Sequence, residues 1–140
     1  IKALNSFKLI NSKYPNSKYA KDSRLKIQFL KNSLAKNELN IGKFYLKKGA
    51  PASSINRFKF VLQNYQNTSV VPETLFRLSE ALLMIGLKDE AIKSSALLDY
   101  NYPNNDWTKL SKKLFQKKYE LDLNEDNKLS IINYLKDFFE

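Results

Sequence analysis

The residues most often recruited for catalysis are missing. The 140-residue chain contains no His and no Cys, which removes the commonest general base, the commonest transition-metal ligand and the best nucleophile. Asp89 and Glu90 are adjacent, but they fall at the expected start of a helix, where negative charge meets the positive end of the helix dipole. The three glycines, at 42, 49 and 86, are too scattered to cradle a phosphate. One segment resembles a calcium loop: Asp122, Asn124, Asp126 and Ser130 supply oxygens at positions 1, 3, 5 and 9, with Leu129 as the usual apolar anchor. It departs where the loop needs most, with Asn127 at the sharp-turn glycine and Asn133 at the bidentate twelfth position, so Asp122 to Asn133 reads first as a polar turn and only second as a calcium site. A non-enzymatic protein without cofactor or metal is expected, whose chemistry is recognition.

Charge supplies that recognition. The net charge is +10, and residues 1–60 carry 14 Lys and Arg against only Asp22 and Glu38, whereas residues 61–140 carry 10 against 12. A field of this kind suits an acidic protein surface, an anionic lipid layer or nucleic acid; equally, lysines can simply solvate helix faces. Nucleic acid is disfavoured, because Arg24, Arg57 and Arg77 are the only arginines and the aromatic residues fall at helix-packing positions instead of forming platforms. An apolar fraction of 43% suits a soluble globular protein with one core. No apolar run approaches the roughly 20 residues that cross a bilayer, and no signal-peptide pattern is read. The lack of cysteine is compatible with cytoplasm or periplasm.

The elements that must carry these charges are helical. Ile41-Gly42, Tyr45, Gly49, Ser54, Phe58 and Val61 follow the spacing of the tetratricopeptide (TPR) repeat: a glycine for close approach of a second helix, aromatic wedges, and a glycine at the turn. Leu78, Leu82, Gly86, Ala91, Leu98 and Pro103 fall at equivalent offsets, with Ser79 and Ser95 replacing the usual glycine and aromatic residue. Ala3, Phe7, Ile10 and Pro15 match a second helix only, so the chain is expected to open inside a repeat. Tyr14-Pro15-Asn16-Ser17, Tyr65-Gln66-Asn67-Thr68 and Tyr102-Pro103-Asn104-Asn105 read as helix stops whose Ser, Thr or Asn caps the next helix.

Between Ser17 and Gly49 only Gly42 interrupts helix-forming residues. A single helix over 18–48, about 46 Å long, is predicted, with Ile27, Leu30, Leu34, Ile41 and Tyr45 on one face. It exceeds what the repeat requires, and either offers a ridge to partners or packs against a further repeat. Pro51 and Pro72 suit the first turns of later helices. After Trp107 the repeat pattern ends; residues 108–121 read as an amphipathic capping helix, and Leu129 to Phe139 as a shorter one that folds back or engages a partner. The expected fold is all-α: a TPR helical-hairpin solenoid over 1–107, with the C-terminal capping helices in 108–140.

Longer stretches sharpen the picture. Tyr14 to Asp22, Phe29 to Glu38, Tyr45 to Gly49, Ile55-Asn56-Arg57-Phe58 and Asn64 to Thr68 strongly resemble the BamD family, the TPR lipoproteins of the outer-membrane β-barrel assembly machinery. Gly86 to Ala91 and Tyr102-Pro103-Asn104 resemble its alphaproteobacterial members. The likeness spans roughly residues 3–107 and includes the elongated helix. It implies a periplasmic scaffold, lipid-anchored on an N-terminal cysteine lying outside this chain, that binds BamA and aids insertion of barrel precursors. It further implies that these C-terminal repeats dock on the last periplasmic POTRA domain of BamA, other assembly lipoproteins and unfolded precursors being further partners. Arg57 matches the family arginine that pairs with an acidic residue of that domain. With Asn56, Lys47, Lys48 and Arg77 it forms the set of candidate partner-binding residues. The competing reading is a generic TPR adaptor for another protein or peptide.

Overall fold

The computed structural model describes residues 1–119, and side chains through Gln116. Its regular elements are all helices: α1 (Lys2–Lys13), α2 (Lys18–Lys47), α3 (Pro51–Asn64), α4 (Val71–Met84), α5 (Lys88–Asn101) and α6 (Asp106–Tyr119). Each helix packs against the next in sequence, and alternate helices α2, α4 and α6 also touch. That pattern is a stack of antiparallel hairpins, the expected TPR-like solenoid. The expected calcium-like loop and the helix over 129–139 lie outside the described residues.

Local chemistry explains where each helix begins and ends. Ser17 caps α2, its hydroxyl accepting the Ala20 amide at 3.1 Å, and Asn105 Oδ1 accepts the Trp107 amide at 2.9 Å. The third expected cap does something else. Thr68 Oγ1 donates to the Tyr65 carbonyl at 2.7 Å, closing the turn, while α4 starts three residues later with no side-chain cap and proline in its first turn. Gly49 and Gly86 take left-handed conformations, φ +74° and +81°. Behind them the Ala50 and Leu87 amides reach back five residues to the Tyr45 and Leu82 carbonyls, each at 2.9 Å, closing the left-handed helix stop that glycine favours.

The core runs from α2 through α6. Phe58 is fully buried, with Leu39, Leu62, Leu75, Leu82, Leu98 and Phe115 in the same cluster. Gly42 is what lets α3 approach: a Cβ there would sit 2.8 Å from Phe58 Cδ1. Tyr45, expected beside Phe58 in the wedge, is only half-buried and meets Phe44 edge-on at 5.7 Å. In the next hairpin serines replace this glycine–aromatic pair. Ser79 and Ser94 both donate to the Leu75 carbonyl, at 3.0 and 2.9 Å, and Ser95 Oγ meets Ser111 Oγ at 2.6 Å. These hydroxyls satisfy one another and their neighbours in the interior, and the small residues let α6 lie close, with Phe115 filling the space and Lys112 pairing with buried Asp99 at 2.7 Å.

The long helix α2 has 30 residues, about 45 Å, and its first half makes specific ties to its neighbours although Tyr19, Leu25 and Phe29 there stay exposed. Arg24 Nη1 donates to Asn11 Oδ1 at 3.1 Å, tying α2 to α1. Gln28 donates to the Asn67 carbonyl at 2.9 Å and Asn32 accepts the Ser69 amide at 3.2 Å. The added length therefore buttresses the loop between α3 and α4.

Candidate partner-docking faces

Arg57 projects from α3 toward α2. Its Nη1 lies 3.0 Å from Glu38 Oε2, and the two side chains are 43% and 19% exposed. A half-exposed cation held by one carboxylate can exchange that partner for another at small cost, since such pairs contribute about 0–1 kcal/mol. Asn56 is exposed beside it. The sequence reading did not identify Glu38 as the partner of Arg57, although it is one of only two acids in the first 60 residues.

Arg77 sits in a different environment. It is 27% exposed, with Nη1 2.8 Å from Glu80 Oε2 and its guanidinium over the rings of Phe76 and Trp107, at 5.4 and 5.2 Å. Its buried Nε makes no hydrogen bond but lies 3.5 Å from Glu73 Oε1, which in turn holds Lys43 of α2 at 2.9 Å. This lattice of alternating charge bolts α2 to α4, and the aromatic stack joins Arg77 to α6. Lys43, Glu73, Glu80 and Trp107 were not singled out in the sequence. Glu73 and Glu80 stand four residues before and three after Arg77 on α4, a spacing that single-helix periodicity does contain, whereas Lys43 of α2 and Trp107 of α6 join them only through the fold.

Lys47 and Lys48 close α2. Both add favourable charge near the helix C-terminus, and Lys48 also lies over the Phe44 ring at 5.6 Å. Lys47 turns instead into a groove of about 530 Å³ lined by Lys43, Leu46, Arg77, Leu83, Met84 and Leu114. The five candidates therefore do not form one cluster. Arg57 and its neighbour Asn56 mark the α2–α3 seam, whereas Arg77 and Lys47 line the groove. Around the α2 axis, Glu38 and Lys43 are about 140° apart.

No group of acidic residues among the described side chains is arranged to hold a metal, and no described helix is long and apolar enough to cross a membrane. Burial raises the Tyr102 phenol above its ordinary value of 10.0, at a helix stop rather than on either face.

Stacked hairpins with charged lateral faces and a concave groove define a helical-repeat protein of the TPR-like class. Residues 1–98 match the family model described as YfiO, outer membrane lipoprotein, and the chain belongs to that family. It is 47% identical over 103 residues to outer membrane protein assembly factor BamD of Rickettsia prowazekii (strain Madrid E), covering 74% of this chain and 41% of that protein. To the assembly factor of the same name from Caulobacter vibrioides it is 46% identical over 106 residues, 76% of this chain and 35% of the relative. For that of Xylella fastidiosa (strain 9a5c) the figure is 32% over 108 residues, covering 77% and 37%. The chain thus spans less than half the length of the curated relatives it matches.

Proposed function

We propose that this chain is the C-terminal docking portion of a non-enzymatic scaffold for outer-membrane β-barrel assembly, acting at the periplasmic face of the outer membrane. It binds the last periplasmic POTRA domain of BamA through the α2–α3 seam, with Arg57 leaving Glu38 to pair with a carboxylate of that domain and Asn56 alongside. Lys47, Lys48 and the other cations of the basic half steer the encounter. Unfolded barrel precursors and other assembly lipoproteins are partners of the whole protein, whose lipid anchor lies outside this chain. The observation that carries the reading is the close similarity to proteins named as assembly factors across three-quarters of the chain. The half-exposed Arg57 supports its residue-level form.

A pull-down with the periplasmic domains of BamA from the same source tests this. Retention well above that of an unrelated helical-repeat protein is expected; retention no better than that control would sink the proposal.

A further inference from the structure

The groove lined by α2, α4 and α6 opens at the end of the stack where these three parallel helices finish. Its floor is apolar, built from Leu46, Leu83, Met84 and Leu114, and Met84 is 54% exposed. Lys47 and Met84 are the last residues of α2 and α4, and Leu114 stands five residues before Tyr119, the last of α6. The chain therefore leaves α6 beside the groove. Residues 120–140 follow, outside the described residues, and their sequence carries its own apolar stripe. Ile131, Ile132, Leu135, Phe138 and Phe139 fall within about 120° around a helix axis, with Ser130, Asn133, Lys136 and Asp137 on the other side. An isolated helix of this length is marginal in water, and such a stripe needs a cover. Stripe and groove each lack an apolar partner, and the chain brings them to the same end of the stack.

We infer that residues 129–139 fold back as a helix into this groove, so that the chain covers its own apolar floor. The reach is sufficient: the nine residues 120–128 span up to about 30 Å when extended, whereas Leu114 lies about 8 Å of helix from Tyr119. The lengths also match. From Ile131 to Phe138 the stripe runs about 10 Å, as does the groove wall from Arg77 to Met84. So short a tether holds the segment at an effective concentration on the order of millimolar, so a modest apolar contact is enough to keep it seated. Charge adds a long-range bias towards the body. Residues 120–140 carry six Asp and Glu against Lys128 and Lys136, whereas residues 1–119 carry 22 Lys and Arg against eight Asp and Glu, so tail and body attract. The groove itself selects by apolar shape, since Lys43 and Arg77 are already paired, as are Lys109 and Lys112 of α6. Any other ligand of the groove must first displace the tail. This occupancy is intramolecular, does not rest on the BamA reading, and leaves the Arg57 seam free.

The chain has one methionine, which is in the groove, and no cysteine. Methyl-labelled Met84 therefore gives a single NMR resonance, and Lys136→Cys, on the polar side of the tail, gives a single site for a nitroxide spin label. In the 140-residue chain the label is expected to broaden the Met84 resonance, and reduction of the nitroxide to restore it. Ile132→Asp/Leu135→Asp should abolish the broadening by placing charge in the apolar stripe. Ser130→Asp/Asn133→Asp adds the same charge on the polar side and should preserve it. Three results would each overturn the inference: no broadening, broadening that survives Ile132→Asp/Leu135→Asp, or equal loss in both double variants. Broadening in a methyl-labelled chain without nitroxide, mixed with a spin-labelled chain whose methionine is unlabelled, would also overturn it, assigning the groove to the tail of a second copy. Every arm is read without BamA, so failure here is separable from failure to retain that partner.

Discussion

Gly42→Ala sets two effects of opposite sign against each other. In an exposed helix the change would stabilise by about 1 kcal/mol, because alanine is the best helix former and glycine among the worst. At this position the new methyl would sit 2.8 Å from Phe58 Cδ1 and 3.0 Å from Cζ, against a ring that is itself fully buried. Phe58 has nowhere to swing without moving α3, so overpacking costs about 1–3 kcal/mol. The net expectation is a loss of up to about 2 kcal/mol, several degrees in Tm for a protein of this size. Urea unfolding followed by circular dichroism measures it. Phe58→Leu in the same background should recover part of the loss, a coupling that a double-mutant cycle reads directly. A variant stabilised by about 1 kcal/mol, with no coupling to Phe58, would refute the claim that Gly42 exists to admit that ring.

Phe58→Ala should cost roughly 3–5 kcal/mol by opening a cavity among Leu39, Leu62 and Leu75, a large part of a domain's stability, and thermal melts will show it. Tyr102 is held neutral by burial, so its contribution is fully present below pH 10 and is lost as pH rises through the raised folded value; urea melts above pH 9 should show a shallower decline for Tyr102→Phe. Association with BamA should slow as salt shortens the Debye length from about 30 to about 8 Å, with dissociation changing less. Lys47→Gln/Lys48→Gln should flatten that dependence, and a flat response in the wild type would remove steering from the mechanism.

Helix positions were largely legible in the sequence because local chemistry sets them: Ser17 as cap, Pro51 and Pro72 in first turns, and Gly49 and Gly86 at left-handed stops. The inner face of α2 was not. The expected stripe of Ile27, Leu30, Leu34, Ile41 and Tyr45 is only half-buried, while the buried positions are Ala20, Ser23, Ala35, Leu39 and Gly42. A helix this long serves different neighbours along its length. Ser23, in the half that packs on α1, and Leu39, in the half that packs on α3, are about 160° apart around the axis. No single hydrophobic stripe describes both, and small residues mark where backbones come closest. The pairing of Arg57 with Glu38, 19 positions away, depends on how α3 sits on α2, which single-helix periodicity does not contain. For Arg77 the acidic partners Glu73 and Glu80 lie at helical spacing on its own helix and could have been read from the sequence; the stacking on Trp107 of α6 could not.

The most direct test of the central claim is a binding titration of the periplasmic domains of BamA against wild type, Arg57→Glu and Glu38→Gln, with a thermal melt of each. Saturable wild-type binding is expected, weakened roughly tenfold or more by Arg57→Glu, since a desolvated interface charge pair contributes about 2–5 kcal/mol on truncation and an exposed one much less. Glu38→Gln, which frees the guanidinium from its internal partner, should bind as well as wild type or tighter, and all three should remain folded. Absence of saturable wild-type binding, or equal affinity for wild type and a folded Arg57→Glu variant, would contradict the claim that this seam is the BamA-docking face.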